Sequence, residues 1–242
     1  MVRNVSRVVI DNLDQVRLEV VRDIRDPRYL VFAISIPLAI YLAYLVTGIG
    51  RAPDQPIDGM GWPSVLMVSM AALGAMIAAV GVAAGRPAAS QNLVVKAVSA
   101  MVLALPPLIV VGTAAALDGV RLPGVEWLVL AGSLWLGAIP FVALGLLLGP
   151  VLDADTGDVV LLGVLVVLAI LGGLFQPIET LPAELAGLAH VLPSYRLADL
   201  GWTTLADRTV NPADVLVLAG YTLVFGAVVV WRKRIEDAQV GE

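Results

Sequence analysis

The chain has no cysteine and one histidine, His190. Disulfides, a thiolate nucleophile and cysteine-ligated metal are therefore excluded, as is any site that needs two histidines. Charge is scarce as well: 14% of the 242 residues are Asp, Glu, Lys or Arg, against about a quarter in an ordinary soluble chain. No G-x-x-x-x-G-K-[ST] loop is present, so nothing in the sequence cradles the phosphates of a nucleotide. No cleavable leader is expected, because the first thirty residues are charged throughout and lack an apolar core. No soluble domain, low-complexity segment or clear internal repeat is visible, and the last absence weighs against carriers built from repeated halves.

What is there is apolar. Hydrophobic residues make up 59% of the chain and the mean hydropathy is +0.91, which sets the class as an all-α polytopic membrane protein. Six apolar runs stand out, roughly Leu30–Ile49, Ser64–Ala84, Ala97–Leu117, Trp127–Gly149, Val159–Phe175 and Val215–Trp231. A span takes about 17–25 residues; all six fit, the last two at the short end, and six transmembrane helices are predicted. None of the runs contains Asp, Glu, Lys, Arg or His. Ion-coupled carriers need ionisable groups at depth, and intramembrane proteases need Asp or a Ser–His pair; these runs offer neither. No catalytic residue, no metal site and no cofactor on this chain are predicted. Asp153, Asp155 and Asp158 read as a polar turn rather than a cation site, and His190 as a solvated or capping residue.

The chain reads as one transmembrane domain, 1–242. Residues 1–28 form an interfacial helix and 29–175 hold spans one to five. An extracellular re-entrant segment occupies 176–212, and 213–242 are span six and a cytoplasmic tail. Residues 1–28 carry six arginines and five acids. Val5, Val9, Leu13, Val16 and Val20 recur at helical spacing, with Arg7–Asp11 and Arg22–Asp26 as i,i+4 pairs on the polar side. This pattern suits a helix lying in the membrane interface, or a soluble helix packed on a partner. An even number of spans puts both termini on one side, with eleven of the fifteen Lys and Arg residues; Arg51, Arg121, Arg196 and Arg208 fall on the other. The positive-inside rule then makes both termini cytoplasmic, in a multi-pass protein of the inner (plasma) membrane. The acidic loop at Asp153–Asp158, with no cation of its own, is the one internal segment out of step. Tyr29 and Trp231 fall at the inner boundary and Trp62, Trp127 and Trp202 at the outer one; Trp135 alone lies inside a span.

Pro37, Pro106-Pro107 and Pro140 interrupt spans one, three and four, as hinges or as static kinks. Gly145-x-x-x-Gly149 and Gly81-x-x-x-Gly85 permit close helix approach, within the chain more readily than between chains. Tyr41 and Tyr44 on span one and Met67 and Met70 on span two are i,i+3 pairs. Polarizable Met and amphipathic Tyr suit a substrate pathway that meets varied apolar ligands, with Phe175 at its end; ordinary packing is the other reading. The passage after span five, QPIETLPAELAGLAHVLPSYRLADLGW, is too polar for a span and too apolar for a solvated loop. Ala183–Val191 fits a short helix bracketed by Pro182 and Pro193. A short re-entrant helical hairpin between spans five and six follows. It would act as an extracellular gate formed by Pro177, Leu181, Leu185, Leu188, Pro193 and Tyr195, and a plain external loop is the alternative.

This order of features resembles the six-span permease subunits of ABC-2 type transporters. Gly172-Gly173-Leu174-Phe175-x-Pro177, then Leu181-Pro182, then Leu192-Pro193-x-Tyr195, is similar to that family's passage after the fifth span. Arg25-Asp26-Pro27-Arg28 resembles the end of its interfacial elbow helix, and Lys96 a lysine often found before span three. The resemblance implies an ABC exporter that moves an apolar or amphiphilic substrate (drug, antibiotic, lipid or peptide) outward. ATP and Mg would be bound by a partner ABC ATPase subunit, with a second permease completing a homodimer or heterodimer. Beyond these and the lipid bilayer no partner is implied, and no nucleic acid. The ATPase would dock at Arg22, Arg25, Asp26, Arg28 and Arg86. The loop between spans two and three, Gly85 to Asn92, is shorter than the family's and lacks its coupling helix. The alternatives are a non-transporting membrane sensor or assembly partner of a signalling kinase, or a small secondary carrier or channel. Reporter fusions check the topology: those at Asp118 and Pro212 are expected outside and one at Asp155 inside, and an external Asp155 would break the scheme.

Overall fold

The computed structural model describes residues 2–48, 61–85, 92–152, 156–176, 182–207 and 209–240, apart from the side chains of 2–10, 183, 185, 207 and 240. Among these every regular element is helical. The order is α1 (Val2–Asp23), α2 (Pro27–Tyr29), a π-helical turn (Leu30–Ser35), α3 (Ile36–Thr47), α4 (Trp62–Ala84), α5 (Leu93–Leu103) and α6 (Leu105–Leu117). Then follow α7 (Gly124–Gly137), α8 (Ile139–Leu148), a 3-10 turn (Gly149–Val151), α9 (Gly157–Leu171), α10 (Ala183–Ala189), α11 (Pro193–Asp207) and α12 (Pro212–Val240).

Five helical stretches are long and apolar enough to cross a membrane: Pro27–Thr47, Trp62–Ala84, Leu93–Leu117, Gly124–Val151 and Pro212–Gln239. The fifth apolar run of the sequence gives only α9, 15 residues long. At 1.5 Å per residue that is about 22 Å, against a hydrocarbon core of about 30 Å. Its early stop has a local cause. Gly173 takes a left-handed φ of 72°, and the N–H groups of Gly173 and Leu174 turn back to the carbonyls of Ile170 and Ala169. That closes the last turn in a Schellman motif, with Leu174 buried behind it.

α4 is the axis of the bundle. It is buried without interruption from Val65 to Met76, and a helix apolar all round belongs inside. Its small residues let other backbones come close. A Cβ on Gly145 of α8 would stand 2.5 Å from the Val80 carbonyl oxygen, and one on Gly149 would stand 2.6 Å from that of Ala84. The Gly145-x-x-x-Gly149 pair is thus used inside the chain, whereas Gly81 faces open space.

The prolines break the spans where the sequence places them. Span three divides at Ala104 and span four at Ala138, each second half starting with proline in its first turn, and Pro37 follows the π turn. Proline frees the carbonyl four residues back, and in an apolar setting that group needs a new partner. Pro107 frees Leu103, whose oxygen accepts from Tyr29 Oη at 2.8 Å. Two residues earlier, in the same turn, Trp135 Nε1 donates to Met101 O at 2.7 Å, which accounts for the one tryptophan inside a span. Beside Pro37 the Ala33 oxygen lies against Gly74 of α4, 2.8 Å from where a Cβ would be.

The helix ends sort into two clusters. One joins α1, α2, the end of α4 and the starts of α5 and α9: Asn92 Nδ2 donates to Asn12 Oδ1 at 3.0 Å, Lys96 Nζ to Gly85 O at 2.5 Å, and Arg28 pairs with Asp158. The other joins the ends of α3 and α9 to the starts of α4 and α12. The 29 residues of α12 cover about 43 Å and run from the second cluster back to the first.

The α8–α4 contact yields a test with an internal control. Gly145→Leu and Gly149→Leu place side chains into the backbone of α4, and overpacking of this kind costs about 1–3 kcal/mol or more. Both are expected to lower the midpoint of thermal unfolding in detergent. Gly81→Leu is expected to leave it unchanged; equal effects at all three positions would refute the packing.

Candidate functional site

The second cluster is the candidate site, because the residues predicted for pathway and gate meet there. Tyr44 Oη donates to Phe175 O at 3.0 Å, tying the end of α3 to the turn after α9. The Tyr44 and Trp62 rings lie 6.5 Å apart. Tyr41, Met67 and Met70 are enclosed in the main apolar core, at 1% exposure or less, so within a single chain they form packing and line no surface. The Tyr41 hydroxyl is buried without a hydrogen-bond partner.

Beyond Phe175 the predicted gate residues Pro177 and Leu181 lie outside the described residues, as does the side chain of Leu185. α10 matches the short helix expected between Pro182 and Pro193, with Leu188 exposed on it. The sequence reading did not anticipate α11, a 15-residue helix that packs on α4, α7 and α12. Ser194, Leu197 and Ala198 are fully buried and Tyr195 nearly so. Ser194 Oγ donates to Leu168 O at 2.6 Å, which hangs the start of α11 on the end of α9. Leu197 and Leu200 press on Gly137 of α7, and Gly201 leaves room for Val68 of α4. Tyr195 stands edge-on to His190 at 4.7 Å and to Trp202 at 6.2 Å, and Trp202 Nε1 donates to Val65 O at 3.2 Å. His190 is therefore an exposed ring edge beside Tyr195, and its own carbonyl accepts from Arg196 Nε at 2.7 Å.

A buried ion pair closes the cluster. Arg196 Nη1 lies 2.8 Å from Oδ1 of Asp214, a residue with no exposed surface in the first turn of α12. Neither residue stood out in the sequence, because Asp214 sits just before the last apolar run. The signal available was Asn211-Pro212-Ala213-Asp214, a capped helix start with an acid in its first turn; Asn211 Oδ1 accepts from Ala213 N at 3.0 Å.

At the first cluster the described coupling residues, Arg22, Arg25, Asp26 and Arg28, are exposed. Arg22 donates to Asp23 at 2.7 Å rather than pairing with Asp26, since α1 ends at Asp23 and Asp26 opens the next helix. That hydrogen bond raises the Arg22 guanidinium above its ordinary range. Asp26 Oδ1 accepts from Arg28 N at 2.8 Å and caps span one, with Pro27 at its first position. Arg28 supplies the cation that the acidic loop lacks, by pairing with Asp158. Arg25 is exposed, and Arg86, Asp153 and Asp155 lie outside the described residues. α1 turns Glu19, 4% exposed, inward and shows Leu13 and Leu18 outward. No group of three or more potential metal ligands occurs among the described residues.

The two ends of the Arg28 contact should separate by measurement. Asp26→Ala removes a helix cap worth about 0.5–2 kcal/mol, whereas Asp158→Ala removes an exposed pair worth about 0–1 kcal/mol. Asp26→Ala is expected to lower the unfolding midpoint in detergent more than Asp158→Ala; the reverse order would refute the cap.

Over 126 residues the chain is 27% identical to a Bacillus subtilis (strain 168) protein named "Putative transport permease YvfS", a stretch that is 51% of each protein. The match therefore spans about half the length of this curated relative. No family model matches the chain, and no solved structure matches it.

Proposed function

We propose that the chain is the permease subunit of an ABC exporter of the ABC-2 type, working with a separate ATPase subunit and a second permease. The likeness to a transport permease over half of each chain is the observation that carries a transport role. The ABC-2 assignment rests on the Gly172–Pro177 and Leu192–Tyr195 passages and on the charged stretch before span one. A motor on another chain follows from the missing phosphate loop and from the lack of ionisable groups in the apolar runs. In this reading ATP binding favours one arrangement of the helices and hydrolysis the other, and the permease is the two-state element. Tyr41, Met67 and Met70 are packed inside the single chain, so in this reading a path for an apolar or amphiphilic substrate forms only when the helices rearrange or the second permease joins. The second cluster is the extracellular gate, and Arg22, Arg25, Asp26, Arg28 and Arg86 receive the motor.

Copurification and ATPase measurements test this. The isolated chain is expected to hydrolyse no ATP, and a P-loop ATPase encoded beside it is expected to copurify and to gain ATPase activity in its presence. Reversing Arg25 and Arg86 together is expected to weaken that copurification without lowering the unfolding midpoint. Each exposed contact is worth about 0–1 kcal/mol, so the double variant is the one to read. Flux driven by an ion gradient without ATP would overturn the proposal, as would robust hydrolysis by the isolated chain.

A further inference from the structure

Among the described ion pairs only Arg196–Asp214 has a fully enclosed carboxylate; the others are partly or largely exposed. From its setting we infer that it is a latch that holds α10 and α11 shut against α12, and that its release frees this outer segment while α12 stays in place. The inference deepens the permease reading, on which it rests for the purpose of opening.

Three observations distinguish a latch from a permanent rivet. The carboxylate is only half satisfied: Oδ1 meets Arg196, while Oδ2 is buried without a partner. Buried polar groups ordinarily have a hydrogen-bond partner, and the unsatisfied Oδ2 subtracts from what the pair contributes to the closed arrangement. The two partners are also unequally committed. Arg196 belongs to the outer segment by its other contacts, through Nε to His190 O at 2.7 Å and with its guanidinium 5.7 Å from the Tyr195 ring centre. Its side chain is 22% exposed, so water reaches it before the pair parts. Asp214 stays in the first turn of α12, where free N–H groups and the helix dipole favour an anion with or without the arginine. Finally, the segment has one further described polar tie to α12, Tyr221 Oη donating to Val191 O at 2.8 Å at an exposed position. Its other described ties run to α9 and α4 rather than to α12, through Ser194 Oγ on Leu168 O and Trp202 Nε1 on Val65 O, beside the apolar contacts of Leu197, Ala198 and Leu200.

The absence of native cysteine makes the test direct. Ala198→Cys puts a reporter on a fully buried face of α11, and Ala83→Cys puts a control on α4 at the far end. Both are labelled with a membrane-impermeant maleimide in lipid nanodiscs, which leave both ends open to the reagent. Arg196→Gln and Asp214→Asn are each expected to speed labelling at position 198 by about tenfold, equivalent to about 1.4 kcal/mol in an opening equilibrium. Labelling at position 83 is expected to stay slow. Unchanged labelling at 198 in both variants would overturn the latch. So would equal acceleration at 83, or loss of folded protein from both variants on gel filtration, since the pair would then be a rivet of the fold. The measurement uses neither ATP nor an ATPase, so its failure is distinct from failure of the permease reading.

Discussion

Backbone polar groups inside an apolar bundle have no water to turn to, and the rest of this structure depends on how that demand is met. α4 meets it in the simplest way, as an unbroken helix enclosed on every side. Enclosure imposes a second condition: where other backbones cross α4, side chains must be nearly absent. Gly145 satisfies it from α8, Gly149 from the 3-10 turn that follows, Gly201 from α11, and Gly74 from α4 itself. A polarizable, unbranched residue such as methionine fills what remains, as Met67, Met70 and Met76 do.

Around that axis three spans are broken by proline, and the break in span three is tied to two neighbours. Tyr29 leaves span one to reach Leu103 in span three, and Trp135 leaves span four to reach Met101 in the same turn. Spans one, three and four are thereby linked at the break in span three, through donors from two of them. Each such hydrogen bond contributes about 1 kcal/mol net, and a carbonyl left without one would cost more than that. A hinge at this place would have to break both donors at once, so the contacts favour a fixed bend in span three. Span one meets α4 differently, with its Ala33 carbonyl oxygen against Gly74.

Most of this framework was legible in the sequence. The helical runs, the proline breaks, the short helix before Pro193 and the use of Gly145 and Gly149 within the chain all follow from local rules. Three features were not, each for a physical reason. The Gly172-Gly173 stop of α9 is written in the chain, but an apolar count does not register that Gly173 takes a positive φ. α11 carries charge at Arg196 and Asp199, which reads as loop; its packed stripe, Leu197, Leu200, Gly201 and Thr204, has helical spacing but includes a glycine and a threonine. Asp214 was invisible because burial of a single acid depends on an arginine eighteen residues earlier that only the fold brings near.

The short span and the unforeseen helix are two aspects of one feature. α9 falls roughly 8 Å short of a hydrocarbon thickness, and its last turn leaves the Leu168 carbonyl in reach of a side chain. Ser194 takes it at 2.6 Å, and from that point α11 stands in the bundle against α4 and α7. Had α9 continued for another turn or two, the place of Ser194 would have been filled and α11 could not have docked. A Cβ on Gly172 would already strike the Ser194 side chain. The double glycine therefore does more than end a helix: it opens the room that a half-polar helix needs to lie among apolar ones. That helix then brings its own charge, Arg196, which the first turn of α12 receives through Asp214.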